Sequence, residues 1–233
     1  MGVPEESLVP AAGFHWLTPL YDPLVALTCR DKAVKKRLVD AAGLLPGQRV
    51  LDLGCGTGNL ALGVKGTCSS ADVVGFDADP RMLDRAAAKA RRSGLGVRFD
   101  QGFAQSLPYA DGSFERVVSS LFFHHLAPAA KAEALGEAFR VLAPGGEIHI
   151  ADWGRPGGPV MRVLFLGIRF LDGFPNTAAH AAGMLPGLVQ AAGFDGVRVL
   201  RRFGTMFGTL ELIAGAKPVE ASATDAGCVS GEG

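Results

Sequence analysis

Apolar residues between about positions 45 and 153 form two kinds of run, some continuous and some spaced like one face of a helix. The continuous runs are short and apolar, which predicts buried strands at 49–53, 72–76, 97–100, 114–120 and 147–153. Between them, apolar residues recur three and four apart, which predicts helices at 58–66, 80–92 and 127–142. This alternation predicts a parallel sheet with helices on both faces.

The pattern changes on both sides of this region. Before it, helical spacing predicts helices at 19–30 and 31–44, with Asp31 as an N-cap. After it, the strongly apolar stretch 159–171 and the stretch 184–192 are also predicted helices. Two β-rich segments, 197–203 and 206–214, predict an antiparallel pair that closes one edge of the sheet. The small, polar residues 219–233 are expected to be disordered.

Three glycines follow the first predicted strand, in the stretch 50–59 that reads Val-Leu-Asp-Leu-Gly-Cys-Gly-Thr-Gly-Asn. Glycine adopts backbone angles that other residues avoid, and it lets a ligand approach the backbone closely. The predicted helix behind the glycines presents N–H groups and a partial positive charge. The spacing is G-x-G-x-G, whereas dinucleotide-binding loops read G-x-G-x-x-G. The stretch therefore predicts a loop that binds a nucleotide cofactor other than a dinucleotide.

Polar candidates follow the predicted strands, at the edge where open α/β sheets bind ligands. Asp52 lies two positions before the first glycine of the loop. Asp77 ends the second strand, where a carboxylate can accept hydrogen bonds from both hydroxyls of a ribose. The third strand is followed by Gly-Phe-Ala-Gln at 102–105, and the fourth ends in Ser-Ser-Leu-Phe-Phe-His-His at 119–125.

Composition narrows the classes of partner. The 233 residues include 23 basic and 23 acidic side chains, so the chain lacks the excess of positive charge that is typical of nucleic-acid-binding proteins. The longest apolar run, 163–168, is far too short to span a bilayer. The cysteines show no C-x-x-C pairing, which favours a reducing, cytoplasmic location. The first residues include Glu5 and Glu6, unlike the basic start of a signal peptide.

Four stretches together resemble the class I S-adenosylmethionine-dependent methyltransferases. Within them the chain is similar to the group related to ubiquinone and menaquinone C-methyltransferases, of the methyltransferase domain 11/25 type. The matching stretches are 50–60, 73–83, 107–126 and 140–146, and 208–212 resembles the family's last strand. Any one stretch alone is a weak signal, whereas the combination is specific.

The resemblance implies a fold and a domain organisation. The fold is a Rossmann-like, doubly wound α/β sheet of seven strands, mostly parallel with the last strand antiparallel. Residues 45–217 form the methyltransferase domain, with a lid insertion at about 154–192. Residues 1–44 are expected to form a helical segment that packs on this core, and residues 218–233 a disordered tail.

The resemblance also implies a role for each matching residue, with S-adenosylmethionine as the methyl donor. Asp52 orders the amino group of the cofactor, and Asp77 holds the ribose. Ala104 offers its backbone N–H to the adenine ring, and Tyr21 closes over the cofactor. The other implied contacts are with the methionine part, from Gly54, Gly56, Thr57, Gly58 and Ser120, and with the adenine, from Ala78 and Met82.

Phe103 is a departure from the family pattern. Relatives often carry an acidic or amide side chain there, which accepts from the adenine amino group. Phe103 packs against the cofactor but cannot accept that bond, and losing one hydrogen bond typically costs about 0.5–1.5 kcal/mol. Gln105 is a candidate substitute.

The sequence gives fewer signals for the residues that act on the methyl acceptor. His124 and His125 lie where the acceptor should approach, and histidine titrates near neutral pH, so both are candidate catalytic bases. The competing interpretation is that they pack or bond to the backbone. Asp152 is interpreted as a helix cap or surface carboxylate rather than a base or metal ligand, and no metal is predicted. Cys55 is interpreted as a small residue that fits the loop.

The apolar stretch 159–171 has two interpretations of equal weight, a lid over a hydrophobic acceptor and an ordinary core helix. Its arginines, Arg162 and Arg169, share one face and leave open a peripheral contact with a membrane surface. After the fourth strand the chain lacks the Asn/Asp-Pro-Pro-aromatic motif of many nucleobase and glutamine methyltransferases, which disfavours nucleic-acid substrates.

The resulting prediction is methyl transfer from S-adenosylmethionine to carbon or oxygen of a small, apolar or aromatic acceptor. A non-catalytic cofactor-binding protein, such as a sensor or partner subunit, is the main alternative because of Phe103. A nicotinamide dehydrogenase is a weaker one, since the spacing of the glycine loop disfavours it.

Overall fold

The computed structural model describes residues 31–219. Three features predicted from the sequence therefore lie outside the described residues: the helix at 19–30, the role of Tyr21 and nearly all of the tail. The helices are α1 (Asp31–Ala41), α2 (Asn59–Thr67), α3 (Pro80–Ser93), α4 (Pro128–Val141), α5 (Pro159–Asp172), α6 (Phe174–Ala181) and α7 (Leu185–Ala191). The strands are β1 (Arg49–Leu53), β2 (Asp72–Asp77), β3 (Arg98–Gln101), β4 (Phe114–Ser120), β5 (Leu142–Trp153), β6 (Asp195–Gly204) and β7 (Thr209–Ala216).

All seven strands belong to one sheet, in the order β3-β2-β1-β4-β5-β7-β6. Neighbouring strands from β3 to β5 are parallel, and β7 is antiparallel to both β5 and β6. The fold predicted from the sequence is confirmed. From β1 the chain winds outward through β2 and β3, then returns to place β4 on the other side of β1. Ligands bind at such a reversal of strand order, outside the carboxyl ends of the strands.

The two faces of the sheet bury separate apolar clusters because successive side chains on a strand point to opposite sides. Leu51 and Leu53 of β1 pack with α4 and α7 on one face. Val50 packs with α1, α2 and α5 on the other face. Asp52 alternates with Leu51 and Leu53, so it lies on the Val50 face, at the end where α2 begins.

The boundary between α4 and β5 differs from the prediction. The predicted helix at 127–142 and the predicted strand at 147–153 leave residues 143–146, which include Pro144, Gly145 and Gly146, outside both elements, yet β5 already begins at Leu142. Leu142 pairs with Phe114 and Glu147 with Arg116, so the extra residues between them form an irregularity within the paired strand. Proline and glycine are tolerated there because a bulge leaves backbone groups out of the ladder.

Helix α6 was missed in the sequence, where only a helix at 184–192 was predicted after α5. It has eight residues, starts with Phe-Pro and contains only a short apolar pattern, which explains the omission. The predicted helix at 31–44 ends at Ala41, and the strand predicted at 206–214 begins at Thr209. No helix within residues 31–219 has both the length and the apolar character needed to cross a membrane.

Candidate active site

The glycine loop leads directly from β1 into α2 and is tied to β2. The amides of Gly54 and Cys55 both donate to the carbonyl of Phe76, at 2.9 and 3.0 Å. Gly54 has φ 71°, in the left-handed region that side chains disfavour. A Cβ at Gly54 would also overlap the ring of Phe122, which follows β4. Two independent constraints therefore require glycine at this position.

Asp52 is a buried acid beneath the loop, with 1% of its surface exposed. Its Oδ2 accepts a hydrogen bond of 2.8 Å from the amide of Ala61 in α2. Its Oδ1 has no hydrogen-bond partner among the described residues. Burial raises the pKa of this carboxyl to about 7, although Lys35 and the Ala61 amide both favour the charged form. A cationic group of a ligand would satisfy Oδ1 and restore the charge.

Asp77 joins the end of β2 to the glycine loop. Its Oδ2 accepts from the amide of Gly56 at 2.8 Å, and its Oδ1 accepts from the amide of Asp79 at 3.0 Å. Burial raises the pKa of Asp77, while these hydrogen bonds oppose the rise. The residue predicted to hold the ribose therefore lies directly against the loop predicted to bind the methionine part.

The other predicted cofactor residues surround the same edge of the sheet. Thr57 accepts at its Oγ1 from Lys89 at 2.8 Å. Ser120 ends β4, and its buried Oγ has no hydrogen-bond partner within the described part of the chain. Met82 and Ala104 are buried, whereas Ala78 and Phe103 are half-buried. Cys55 is buried against Gly75, and burial raises the pKa of its thiol, which makes it an unreactive packing residue.

This arrangement fits S-adenosylmethionine. The loop places backbone amides and glycine Cα atoms beside Asp52, whose Oδ1 can accept from an ammonium group. Asp77 lies one strand away, with carboxylate oxygens that can accept from hydroxyls. The Oγ of Ser120 adds a buried polar atom at the end of the next strand. Together these residues could hold the amino acid and ribose parts of the molecule.

A second polar cluster lies beside the first, where β4 and β5 end. The Nδ1 of His124 lies 2.7 Å from the Oδ1 of Asp152, and both side chains are almost wholly buried. The backbone amides of Phe122 and His124 also point at the Oδ2 of Asp152, at 3.2 and 3.4 Å. Asp152 thus holds both the ring of His124 and the turn that carries it.

Leu121 begins that turn with φ 54°, which is rare for a residue with a branched side chain. The turn then forms a short 3₁₀-helix over Phe123–His125. The rings of His124 and His125 lie against each other, with centroids 4.0 Å apart. The side chain of Asn176 in α6 donates to the carbonyl of His125 at 3.1 Å. The two predicted histidines are therefore brought together and anchored from both β5 and α6.

His180 of α6 completes the cluster from the other side of Asp152. Its ring is fully buried, and its Nδ1 lies 2.7 Å from the carbonyl of Trp153 and 4.0 Å from the Oδ1 of Asp152. Burial lowers the pKa of His180 to about 4, so the ring is neutral at pH 7. The neutral ring donates from Nδ1, which leaves Nε2 as its acceptor.

Lys131 lies buried close to this cluster. Its Nζ donates to the carbonyl of Asn176 at 2.8 Å. Burial lowers the pKa of Lys131, and the charge of Asp152 opposes that change. Burial by itself would raise the pKa of Asp152, but the neighbouring histidines and hydrogen bonds lower it below its ordinary value. Asp152 is therefore an anion, and the nitrogen of His124 that faces it is the donor.

The interpretation of Asp152 as a surface carboxylate is wrong, because its side chain is fully buried and bonded to His124. Its contacts with the amides of Phe122 and His124, at the start of the 3₁₀-helix, agree with the helix-cap interpretation. His180, Lys131 and Asn176 were missed altogether. A strand that ends in an acid was the one available signal for Asp152. No local pattern marks the other three, because their proximity depends on how α4 and α6 pack.

Comparison with known proteins supports a methyltransferase assignment. Residues 50–146 match the family model described as a methyltransferase domain. The chain is 40% identical over 185 residues to a demethylmenaquinone methyltransferase from Thermus thermophilus, covering 76% of this chain and 83% of that protein. The chain belongs to the class I S-adenosylmethionine-dependent methyltransferases.

Within this family, the methyltransferase is related to the ubiquinone and menaquinone group. It is 37% identical over 131 residues to the ubiquinone/menaquinone biosynthesis C-methyltransferase UbiE of Bdellovibrio bacteriovorus, covering 56% of this chain and 55% of that protein. Its fold is similar to that of the YcgJ protein from Bacillus subtilis, with a TM-score of 0.66 and 20% identity over 80% of this chain and 99% of that chain. The resemblance inferred from the sequence is confirmed.

Proposed function

We propose that this methyltransferase transfers a methyl group from S-adenosylmethionine to a ring carbon of an apolar, quinone-type acceptor in its reduced form. The names of the relatives, demethylmenaquinone methyltransferase and C-methyltransferase, support the acceptor class and the choice of carbon over oxygen. When bound, S-adenosylmethionine supplies an electrophilic methyl group on a positively charged sulfur. The reduced form of the acceptor is required because its ring is electron-rich.

Each proposed cofactor residue contacts the part of S-adenosylmethionine that suits its own chemistry. Asp52 holds the ammonium group through its unbonded Oδ1, and Asp77 holds the ribose while it fixes the loop through Gly56. Positioning of this kind is the main contribution of an enzyme to an in-line displacement. The half-buried ring of Phe103 packs at the adenine end, and Ala104 offers its backbone N–H there.

One observation supports the acceptor chemistry above all others, the 2.7 Å contact between His124 and Asp152. Methylation at a ring carbon replaces C–H by C–CH3, so one proton must leave the acceptor. An anionic Asp152 holds Nδ1 of His124 as the donor, which makes Nε2 the basic nitrogen of the ring. We assign His124 as the proton acceptor and Asp152 as its positioning residue. We assign His125, whose ring lies tilted against that of His124, to contact with the acceptor ring.

Binding and turnover must be measured separately. Isothermal calorimetry with S-adenosylmethionine and S-adenosylhomocysteine should give binding in the wild type and weaker binding in Asp77→Ala. Release of S-adenosylhomocysteine should then be followed with a panel of reduced naphthoquinones, reduced benzoquinones and simple phenols. Transfer to the reduced quinones, with a new C–CH3 signal in the product, is the expected result.

The same assay tests the alternatives. A non-catalytic cofactor-binding protein would bind S-adenosylmethionine but give no turnover with any acceptor. Products methylated only on oxygen would contradict the choice of carbon. The absence of binding would contradict the proposal as a whole.

A further inference from the structure

Helix α5 exposes a large apolar face as well as burying one. Val160, Val163 and Phe170 are 68%, 67% and 82% exposed. These residues and Gly167 lie three or four positions apart, so they form one stripe along the helix. We refer to Val160, Val163 and Phe170 as the α5 apolar face.

The opposite face of α5 packs into the apolar core of the domain. Phe165 and Ile168 are buried on that side. Phe165 lies against Trp153, with ring centroids 5.6 Å apart, and Trp153 lies 6.3 Å from the ring of His124. The exposed stripe is therefore not required for packing within the described fold, yet it lies on the helix directly behind the proposed acceptor site. Contiguous apolar surface of this kind marks interaction sites.

The part of the chain that contains α5 carries more basic than acidic side chains. Residues 154–216 contain six arginines and three acidic residues, whereas the whole chain has zero formal charge. One of those acids, Glu211, is buried and bonded to Arg202. Arg155 and Arg162 are exposed, and the guanidinium of Arg169 lies 4.5 Å from the centroid of the Phe174 ring. An apolar stripe with arginines beside it complements an anionic lipid surface.

We propose that the α5 apolar face docks on the surface of an anionic membrane, with the stripe among the acyl chains and the arginines at the headgroups. The biological reason for docking rests on the proposed function, since an apolar quinone-type acceptor partitions into a bilayer. Docking through α5 places the acceptor site, behind Phe165 and Trp153, next to the lipid that holds the acceptor. The arginines add attraction to phosphate groups.

Vesicle flotation of the full chain tests this directly. Vesicles of roughly one-third phosphatidylglycerol in phosphatidylcholine should carry the wild type upward, and vesicles of phosphatidylcholine alone should carry less. The double variant Val163→Glu/Phe170→Glu should lower the bound fraction at least about tenfold, because two charges enter the apolar layer. Leu45→Glu is the matched control, an exposed leucine (59%) in the loop between α1 and β1, outside the α5 apolar face.

A second variant separates charge from apolar contact. Arg155→Gln/Arg162→Gln should reduce binding to the anionic vesicles and leave the weaker binding to phosphatidylcholine unchanged. Equal loss with Leu45→Glu, or no binding of the wild type to anionic vesicles, would overturn the proposal. Sedimentation that shows a dimer broken by Val163→Glu/Phe170→Glu, without vesicle binding, would overturn it in favour of a second copy of the chain.

The proposed function is tested independently of docking. Calorimetry with S-adenosylmethionine and turnover of a water-soluble reduced quinone need no vesicles. Retained turnover without vesicle binding would reject docking alone. Vesicle binding without turnover would reject the proposed acceptor and leave the docking surface intact.

Discussion

Asp152 at the end of β5 holds the ring of His124 by a contact of 2.7 Å between Oδ1 and Nδ1, in a region where both side chains are buried. The pair resembles the carboxylate and imidazole of many acid–base sites, in which the acid fixes the ring tautomer. Because Asp152 also faces the backbone amides of Phe122 and His124, it links the geometry of the turn to the orientation of the base.

Replacement of this acid should reduce turnover far more than cofactor binding. We expect Asp152→Asn to lower kcat by about 10²–10⁴, the range of a general base and its orientation. Affinity for S-adenosylmethionine should change little, as measured by calorimetry. Asp72→Asn, an exposed acid paired with Arg49, is the control and should leave kcat unchanged. A large loss of cofactor affinity in Asp152→Asn would instead indicate a purely structural role.

Substitutions of His124 and His125 should change the kinetics in different ways. His124→Gln should lower kcat about 10²–10⁴-fold and abolish the acidic limb of the pH–rate profile, because the rate no longer depends on deprotonation of this proton acceptor. His125→Gln should raise KM for the acceptor and leave the shape of the profile unchanged. Steady-state kinetics between pH 5 and pH 9 distinguishes the two. Identical profiles for both variants would contradict the assignment of roles.

Loss of the carboxylate of Asp77, at the end of β2, should weaken cofactor binding. Asp77→Ala removes charge-assisted hydrogen bonds, each of which contributes about 1.5–3 kcal/mol, so the Kd for S-adenosylmethionine should rise at least about tenfold. Asp84→Ala, an exposed acid on α3, is the matched control and should leave the Kd unchanged. Calorimetry measures both. Equal affinity of wild type and Asp77→Ala would contradict the ribose assignment.

Gly54 and Phe122 should be energetically coupled. Gly54→Ala places a Cβ within the Phe122 ring and a side chain at φ 71°, so it should lower the free energy of unfolding by more than about 1 kcal/mol. Phe122→Ala removes the overlap with the ring, but the Cβ of residue 122, 2.7 Å from the added Cβ, and the unfavourable backbone angle both remain. A double-mutant cycle in urea should therefore show partial rescue, with a coupling of about 1 kcal/mol. Strict additivity would mean that the ring is not what limits this position.

Asp52 should make the ligand-free protein less stable as pH rises. Its pKa is raised to about 7 in the fold, against about 4 when unfolded, so the folded state holds an extra proton between these values. Stability is therefore lost progressively from about pH 4 to pH 7.

Asp52→Asn cannot titrate, so it should match the wild type near pH 4 and exceed it by roughly 1–4 kcal/mol at pH 8. Urea unfolding at the two pH values measures this difference. The variant should also bind S-adenosylmethionine more weakly, because its amide cannot pair with an ammonium group. A stability difference that stays constant across the pH range would show that burial does not raise the pKa of Asp52.

The sequence by itself determined the fold and where the proposed cofactor residues lie in it. Each strand and the glycine loop is a local pattern, and hydrophobic periodicity with turn residues identifies such patterns. Asp52 lies next to the last residue of β1 and Asp77 ends β2, its parallel neighbour, so their positions along the chain already place them at one edge of the sheet. The placement of Phe103, Ala104 and Ser120 at loops and strand ends followed in the same way.

Only the tertiary structure decided the composition of the proposed acceptor site. Asp152 and His124 are 28 residues apart, and His180 comes from α6, a helix with too weak an apolar pattern to be predicted. The partners of a buried charge are set by how distant elements pack, because no local spacing encodes them. The same holds for α5, where the sequence showed an apolar helix and the structure decided which face is buried and which is exposed.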